Sequence, residues 1–351
     1  MHCCFLLKTQ GLSKKKVTLQ DIASQLHISI ATVSRALQNN SRISDSVRAK
    51  VLTVAKDLGY FETKFPAAAV TAKMPLIGVI VPKLSYHLYA MAISGIEKVA
   101  EANNMHIVIC QSDESYEREK NIISEFVKMG VSGLIVSLAG TTKEFSHLHQ
   151  LKSNGIPLVL FNRQCDEVAA DKVVIDNFKA GYDTAEHLIS TGCKSVAFLG
   201  GPEMLQISNT RLQGYRQALK DANIPANQKL VAFCGLTKES NISTARKLLY
   251  GPNPPDGIVA FSDQIAIAAM VAAKERGLHI PQDVAIIGFN NEPVDELMEP
   301  SLSSVDQPAF QMGHAAAELI FEQIQNPSKE NTLLVLHSEL VIRSSTNRNK
   351  R

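Results

Sequence analysis

The 351-residue chain has no tryptophan, no long apolar run and only six scattered cysteines, and each absence excludes something. No apolar stretch reaches the roughly 18 residues that a transmembrane helix needs, so the sequence predicts no membrane protein. The cysteines have no metal-ligand spacing, which argues against a zinc site and fits a reducing cytoplasm. Without tryptophan, an aromatic platform for a ligand has to use tyrosine or phenylalanine, and Tyr86 and Tyr89 are the candidates.

The motifs of common enzymes are also missing. The sequence contains neither G-x-G-x-x-G nor a P-loop, and "FLGGP" lacks the spacing with which helix amides cradle a phosphate. His147 and His149 form an H-x-H without a third ligand nearby, so we expect solvent-exposed histidines and no metal site. The sequence therefore predicts no catalytic residue, no cofactor and no metal, while an α/β enzyme stays open as an alternative.

The positive charge is concentrated at the amino end. Residues 1–65 hold ten Lys and Arg against four Asp and Glu, a net charge of +6, whereas the remainder carries −4. A basic head on a slightly acidic body indicates that the head alone meets a polyanion. Residues 1–16 have no basic region before their apolar head and no small-residue cleavage site, so we expect a disordered extension there rather than a signal peptide.

Apolar residues fall at helical spacing in three short groups between residues 17 and 60, which predicts three helices. Thr18 with Asp21, then Ser29, then Ser44 supply the start signals. Two helices joined by a tight turn, with a third behind them, form the helix-turn-helix arrangement that places the second helix in the major groove of DNA. The alternative to a DNA-binding helix-turn-helix is a three-helix bundle that does not bind DNA.

From residue 76 onward, nine apolar strand-like runs alternate with amphipathic helices, beginning with "LIGVIVP" and ending with "VAIIGFNN". This alternation predicts βαβ units and parallel sheets covered on both faces. Nine strands are many for one sheet, so we expect an α/β fold with two doubly wound, Rossmann-like lobes. Residues 61–75 fit neither pattern and are predicted to be a linker.

The order of these motifs is specific. The stretch from "VTLQDIASQLHISIATVSRAL" to "DLGY", residues 17–60, closely resembles the DNA-binding head of the LacI/GalR family of bacterial transcription regulators. The resemblance continues in the same order through "VVIDNFKAG", "RLQGYRQAL", "FSDQIAIAAM", "PQDVAIIGFNN" and "HSELVIRSS". It implies a helix-turn-helix domain followed by an effector-binding and dimerisation domain of the periplasmic-binding-protein type, with a small molecule between its lobes.

Carried over residue by residue, the resemblance assigns the recognition helix to residues 30–38. The expected DNA-contacting residues are the base readers Ile30, Ala31 and Arg35 and the phosphate contacts Thr18, Ser29, Thr32, Ser34 and Asn39. Where the family has a glycine in the turn, this chain has His27, a residue that tolerates a positive φ better than most.

The linker departs further from the family pattern. Members usually carry a hinge helix there, with a leucine that enters the minor groove and kinks the operator. This chain has Ala69 at the position of that leucine, and Phe65 is a substitute candidate. We therefore expect weaker kinking and more dependence on major-groove contacts.

By the same resemblance, one lobe takes residues 76–175 and 308–335, and the other takes 176–307 and 336–347. Ligands of such folds bind beyond the carboxyl ends of the strands. The predicted effector-binding residues lie at those ends or match effector-contacting positions of the family: Ser85, Tyr86, Asn162, Arg163, Asp176, Arg211, Ser262, Asp263, Asn290 and Gln307. For Asp176 and Asp263, a helix cap or a turn is the competing interpretation.

Taken together, the sequence predicts a dimeric transcriptional repressor that binds palindromic operator DNA and responds to a small effector. Carboxylate, amide and guanidinium groups suit the hydroxyls of a sugar or sugar derivative. Many sugar-binding members have aspartate where this chain has Asn290, so we expect an effector that differs from a plain hexose bound in the standard way. A binding module with weakened DNA affinity is the alternative, because the hinge is altered.

Overall fold

The computed structural model describes residues 17–37, 43–58, 60 and 75–348. The chain divides into two compact units, Met1–Met74 and Pro75–Arg351. Among the described residues, the first unit has three helices and the second has two sheets. None of the described helices is long and apolar enough to span a bilayer.

The amino-terminal unit is the predicted three-helix head, with α1 at Leu19–Leu26, α2 at Ile30–Leu37 and α3 at Asp45–Asp57. Thr18 and Asp21 form a reciprocal capping box that starts α1. The helices meet in one apolar core, in which Ile22, Val33 and Val51 are fully buried. The helix periodicity predicted from the sequence is thereby confirmed.

The turn between α1 and α2 has the expected chemistry. His27 adopts a left-handed conformation with φ 52° and ψ 41°, and its backbone N–H donates to the carbonyl of Ala23. The Ser29 hydroxyl accepts the backbone N–H of Thr32 at 3.1 Å and so caps α2. The expected cap of α3 is wrong in detail, because Ser44 occupies the N-cap position but its hydroxyl meets Ser46 and caps nothing.

The first sheet of the larger unit is entirely parallel, with the strand order β11-β5-β4-β3-β1-β2. Its strands carry near-continuous apolar runs because helices cover both faces. In chain order its elements are β1 (Leu76–Val81), α4 (His87–Ala102), β2 (His106–Gln111), α5 (Tyr116–Met129), β3 (Gly133–Val136), α6 (Ser146–Ser153), β4 (Leu158–Phe161), β5 (Asp171–Ile175), α11 (Ala309–Gln325) and β11 (Leu333–Leu336).

The second sheet has the order β12-β10-β9-β8-β6-β7 and is parallel except at β12. Its elements are α7 (Asn177–Ser190), β6 (Val196–Gly200), α8 (Gln206–Asp221), β7 (Val231–Phe233), α9 (Lys238–Leu249), β8 (Gly257–Ala260), α10 (Asp263–Glu275), β9 (Ala285–Phe289), β10 (Ser303–Asp306) and β12 (Glu339–Val341). Two doubly wound lobes, as predicted from the alternation of strands and helices, are thus confirmed.

The chain passes three times between the two sheets: from β5 to α7, from β10 to α11, and from β11 to β12. Leu336 belongs to β11 in the first sheet, one residue beyond the expected lobe boundary. The structure also contains three strands that the nine-strand count missed, namely β10, β11 and β12. β10 was overlooked because its sequence, "SSVD", is polar, although Ser303 and Ser304 are fully buried.

Each lobe pairs two helices at a crossing where glycines face the neighbouring backbone. In the first lobe, a Cβ on Gly313 of α11 would overlap the carbonyl of Ala92 in α4. In the second lobe, a Cβ on Gly214 of α8 would overlap the carbonyl of Phe178 in α7. Glycine is required at both points because the obstacle is backbone, which cannot move aside as a flexible side chain can.

We predict that Gly214→Ala destabilises the protein by about 1–3 kcal/mol or more, because the added methyl group forces α7 and α8 apart. The matched control is Gly251→Ala, whose Cβ would lie at ordinary distances of 3.6 and 3.7 Å from carbonyl oxygens. Urea denaturation measures both free energies of unfolding. Equal midpoints for the two variants would contradict the prediction.

Candidate DNA-binding surface and effector cleft

The second helix of the head presents a face of small and mostly uncharged residues. Ile30, Ala31 and Arg35 are exposed, whereas Val33 and Ala36 point into the core. Ile30 is unusual among these, since 43% of this large apolar side chain is accessible. An exposed apolar side chain next to an exposed guanidinium can contact thymine methyl groups and guanine acceptors, respectively, in a major groove.

The hydroxyl residues predicted to contact phosphates also fix the helix ends. Thr18 donates its hydroxyl to the Asp21 carboxylate at 2.7 Å, and the hydroxyls of Ser29 and Thr32 lie 2.8 Å apart. Ser34 is half-buried on the same helix. The predicted contacts Asn39, Phe65 and Ala69 lie outside the described residues, so the hinge hypothesis stays a prediction.

A cleft lies between the two lobes at the carboxyl ends of the strands. Its cavity volume is about 70 Å³, and residues of both lobes line it. The predicted residues among those that line it are Tyr86, Asn162, Arg163, Arg211, Ser262 and Asn290. Six of the ten predicted effector residues are therefore brought together.

An aromatic wall closes one side of the cleft. The rings of Tyr86 and Tyr89 stack with centroids 6.3 Å apart, and Tyr89 meets Phe161 edge-on. Asn162, which has a left-handed φ of 57°, donates its amide to the Tyr89 hydroxyl at 3.1 Å. Burial raises the pKa of Tyr89 above its usual value, so this phenol stays neutral and its ring offers an apolar surface with a polar rim.

Arg211 is a buried guanidinium in the second lobe and is 1% exposed. Its Nε donates to Asn177 Oδ1 at 2.9 Å and its Nη1 donates to the carbonyl of Phe261 at 2.7 Å. The guanidinium also lies over the ring of Phe289, 3.9 Å from the centroid. Burial, and after it the charge of Arg163, lower the pKa of Arg211 to about 9, so the group remains protonated at neutral pH.

One nitrogen of this group is left over. Arg211 Nη2 is buried without a hydrogen-bond partner in the part of the chain that the structure describes. A buried charged donor without an acceptor is costly, so the cleft favours a ligand that brings an oxygen to this position.

Arg163 in the first lobe is held by a carboxylate. Its Nη1 and Nη2 donate to Glu114 Oε2 at 2.6 Å and to Glu114 Oε1 at 3.1 Å, the parallel arrangement of a bidentate pair. Both side chains are buried, at 8% and 3% exposure. Burial alone would lower the pKa of Arg163, but Tyr89 and Glu114 more than offset it and raise the pKa.

Asn290 has an unusual backbone and a neighbour that orients its side chain. Its φ is 108°, and its amide oxygen accepts from Gln307 Nε2 at 2.7 Å. This bond occupies the acceptor end of Asn290 and leaves the amide nitrogen as the end available to a ligand. Gln307 itself does not line the cleft, so the structure gives it a positioning contact in place of the predicted ligand contact.

Three other predicted effector residues lie elsewhere. Ser85 is exposed, and Asp176 accepts the backbone N–H of Lys179 at 2.8 Å as the cap of α7. Asp263 is fully buried and accepts from Ser304 Oγ at 2.7 Å and from the backbone N–H of Glu292 at 3.1 Å. Asp176 thus has the helix-cap role of the competing interpretation, whereas Ser85 and Asp263 do not line the cleft.

Comparisons with known proteins agree with both units. Residues 18–62 match the model of bacterial regulatory proteins of the lacI family, and residues 185–346 match that of a periplasmic binding protein-like domain. The HTH-type transcriptional regulator DegA of Bacillus subtilis (strain 168) is 32% identical over 332 residues, which cover 94% of this chain and 98% of DegA. The chain belongs to the lacI family.

Solved structures share the fold of this lacI-family chain. The complex of the transcriptional regulator CelR with cellobiose has a TM-score of 0.71 at 26% identity and covers 94% of this chain and 99% of CelR. A LacI family transcriptional regulator from Enterococcus faecium with bound ribose has a TM-score of 0.69 at 28% identity and covers 78% of this chain and 100% of that one. The protein is accordingly a transcriptional regulator with a DNA-binding head.

Several residues that line the cleft of this lacI-family regulator were not predicted. The polar ones are Glu114, Asn241, Gln264 and Glu292. Glu114 and Glu292 each lie three residues beyond a strand, β2 and β9, so a wider search past the strand ends would have found them. His147 was expected to be exposed, but it is buried and meets Glu119 Oε1 at 3.0 Å. The described residues contain no cluster of three metal-ligating side chains.

Behind the cleft, Asp263 shares its burial with a second carboxyl, that of Asp295. Burial, followed by the charge of Asp295, raises the pKa of Asp263 well above its usual value. Neither carboxyl oxygen of Asp295 has a hydrogen-bond partner among the described residues. Burial likewise raises the pKa of Asp295 to about 6. Two adjacent buried carboxyls cannot both ionise cheaply, so we expect them to hold one proton between them.

The raised pKa values fix the sign of a pH effect. The folded protein keeps a proton that the unfolded chain releases above about pH 4, so the stability contributed by the pair falls as the pH rises through about 6. Asp295→Asn removes one charge and should stabilise the protein above that pH by about 1–3 kcal/mol, with the gain shrinking toward pH 4. Urea denaturation across this range measures the effect.

The control is Glu203→Gln, which neutralises an exposed carboxylate. An Asp295→Asn variant that is less stable than the wild type at pH 8, or whose difference does not vary with pH, would show that the pair holds no extra proton.

Proposed function

We propose that this regulator binds a near-palindromic operator as a homodimer and acts as a repressor, and that a sugar or sugar derivative in the cleft switches its affinity for DNA. The observation that carries the effector half of the proposal is the buried, unpartnered Nη2 of Arg211. We further propose that the regulator is cytoplasmic, where it would bind small molecules of the cell.

The DNA-binding half is supported by the exposed face of α2. This helix is held by the buried residues Val33 and Ala36, so its outer side chains are presented on a rigid support. Ile30, Ala31 and Arg35 form that outer face, and a two-fold dimer would present it twice, which is why a near-palindromic operator is expected.

The effector half is supported by the chemistry of the lining. The aromatic wall of Tyr86 and Tyr89 offers an apolar surface, whereas Arg211 and Asn290 offer donors from the opposite lobe. Stacking on an aromatic face combined with hydrogen bonding at the rim suits a sugar ring. The structural relatives complexed with cellobiose and ribose are consistent with this class of ligand.

Contacts between the lobes provide a route for the switch. Gln206 in the second lobe donates its amide to Asp166 in the first at 2.6 Å, and Gly140 of the first lobe lies close to Leu236 and Pro202 of the second. A ligand that alters the angle between the lobes breaks or strengthens these contacts. Coupling of this kind is typically worth about 1–3 kcal/mol.

A thermal-shift screen with sugars, sugar phosphates, uronic acids and nucleobases tests the effector half, because a ligand that binds only the folded state raises Tm. A screen in which no compound stabilises the protein would count against the sensor. A gel shift with genomic fragments tests the DNA half, and the absence of salt-sensitive specific binding would favour the alternative of a binding module without DNA affinity.

We predict that Arg35→Ala weakens operator binding by about 1–3 kcal/mol and relaxes the base preference at one position, because a bidentate contact to guanine is lost. The control Lys56→Ala removes an exposed cation from α3 and should leave the base preference unchanged. Binding to an operator library measures both. An unchanged preference in Arg35→Ala would exclude Arg35 as a base reader.

We predict that Arg211→Gln abolishes the thermal stabilisation by the effector and leaves operator binding without effector within about twofold, because only the head contacts DNA. Arg216→Gln is the control, since Arg216 is exposed on the same helix α8. Titration calorimetry and gel shifts report the two activities separately. Full effector affinity in Arg211→Gln would remove this residue from the site.

A further inference from the structure

The charges that line the cleft balance each other. Among the lining residues, Arg163 and Arg211 are cations, and Glu114 and Glu292 carry carboxyl groups. A ligand with a charge of its own would disturb this balance in a space with little water. Whether the cleft accepts a charged ligand depends on whether each charged side chain already has hydrogen-bond partners in the protein.

Arg163 is committed through both of its terminal nitrogens. Both of its terminal nitrogens bond to Glu114, and Nη1 also lies 3.3 Å from the carbonyl of Leu138. An anionic ligand could use Arg163 only by displacing Glu114, which would leave a buried carboxylate beside a second anion. Breaking a buried pair in this way is strongly unfavourable.

The carboxylate of Glu114 is also held from the other side. Its Oε2 accepts the backbone N–H of Gly140 at 2.7 Å, and a Cβ at position 140 would lie only 2.7 Å from that oxygen. Asp113 and Glu114 have positive φ values of 52° and 61°, a conformation that costs non-glycine residues energy. The backbone is thus shaped to deliver this carboxylate to Arg163.

The second cation has one terminal nitrogen, Nη2, without a partner among the described residues. Nε and Nη1 of Arg211 already bond to Asn177 and Phe261, so each of the two forks that a phosphate or carboxylate could use has one nitrogen engaged. Glu292 adds a buried oxygen, Oε1, that has no hydrogen-bond partner among the described residues. A hydroxyl group can accept from Arg211 and donate to a carboxylate, whereas an anion can only accept.

We propose that Glu114 is a specificity-determining residue: by neutralising Arg163, it closes the cleft to anionic effectors and restricts the site to uncharged, hydroxyl-bearing ligands. The proposal rests on the effector-binding function proposed above and narrows its ligand class. Phosphorylated sugars and uronic acids are excluded, and neutral sugars are admitted. Removing the charge of Glu114 without changing its size should release Arg163 to bind an oxyanion.

The test uses Glu114→Gln in the full-length protein, with inorganic phosphate and glucose 6-phosphate as probes. Glutamine keeps an acceptor for the Gly140 N–H but leaves Arg163 with uncompensated charge. We expect phosphate to raise the Tm of Glu114→Gln and to bind at least about tenfold more tightly than to the wild type, since a charge-assisted bidentate contact becomes available. The wild type should respond to neither probe.

Two controls locate the effect. Glu117→Gln removes an exposed carboxylate three residues away and should behave as the wild type. The double variant Glu114→Gln/Arg163→Gln should lose the phosphate response again, which assigns it to the released guanidinium. Should Glu114→Gln not fold, Glu114→Ala serves as the second variant, because acetate can fill the space of the missing carboxylate and should restore its stability but not alter that of the wild type.

The outcomes separate this inference from the function on which it rests. Phosphate or glucose 6-phosphate stabilising the wild type through the cleft would overturn the role of Glu114, and so would Glu114→Gln or Glu114→Ala without any response to anions. An absence of stabilising neutral ligands for the wild type would instead count against the sensor, while an Arg163-dependent gain of phosphate binding in Glu114→Gln would still establish what Glu114 does.

Discussion

A guanidinium group in a protein interior needs its hydrogen-bond acceptors in place before water is removed, and Arg211 obtains them from two separate segments. Asn177 at the start of α7 and the carbonyl of Phe261 after β8 bond to it, and the ring of Phe289 at the end of β9 stacks on it. These three segments are therefore fixed relative to α8 by one side chain. The Arg211 guanidinium therefore orders the strand and helix ends that form the cleft wall of the second lobe. The same guanidinium keeps Nη2 as a donor for a ligand.

The two units of the protein solve recognition in opposite ways. The head keeps charge low on α2, where Arg35 is the single basic residue, because a helix that enters a groove has to approach the bases closely. The cleft instead buries several charges and pairs Arg163 with Glu114, whereas Arg211 and Glu292 each keep an atom without a partner among the described residues. Such a division suits a regulator whose head recognises DNA and whose larger unit, as proposed, recognises a small molecule.

Much of this architecture could be predicted from the sequence because strand ends and helix caps are local features. The capping box at Thr18 follows from a short spacing, and the left-handed His27 from the family resemblance. Five residues that line the cleft follow from the rule that ligands bind beyond parallel strands, and Arg211 follows from the resemblance. The failures have a common cause in long-range polar contacts. β10 escaped detection because its buried serines bond to distant partners. Asp263 does not line the cleft because Ser304 and the backbone N–H of Glu292 bond to its carboxylate. The position of the Glu114 side chain depends on the positive φ values of Asp113 and Glu114, which these residue types do not predict.

The three passages of the chain between the sheets have a mechanical meaning. A single connecting segment between two rigid bodies would allow rotation in every direction. A second connecting segment would leave one axis of rotation with some twist. A third passage restrains the twist as well, so that motion of one lobe against the other is limited mainly to one angle. Only His337 and Ser338 lie between β11 and β12, so this one of the three connections is short. A ligand bound in the cleft, as proposed, would therefore restrict a single angle, and little conformational entropy would be lost.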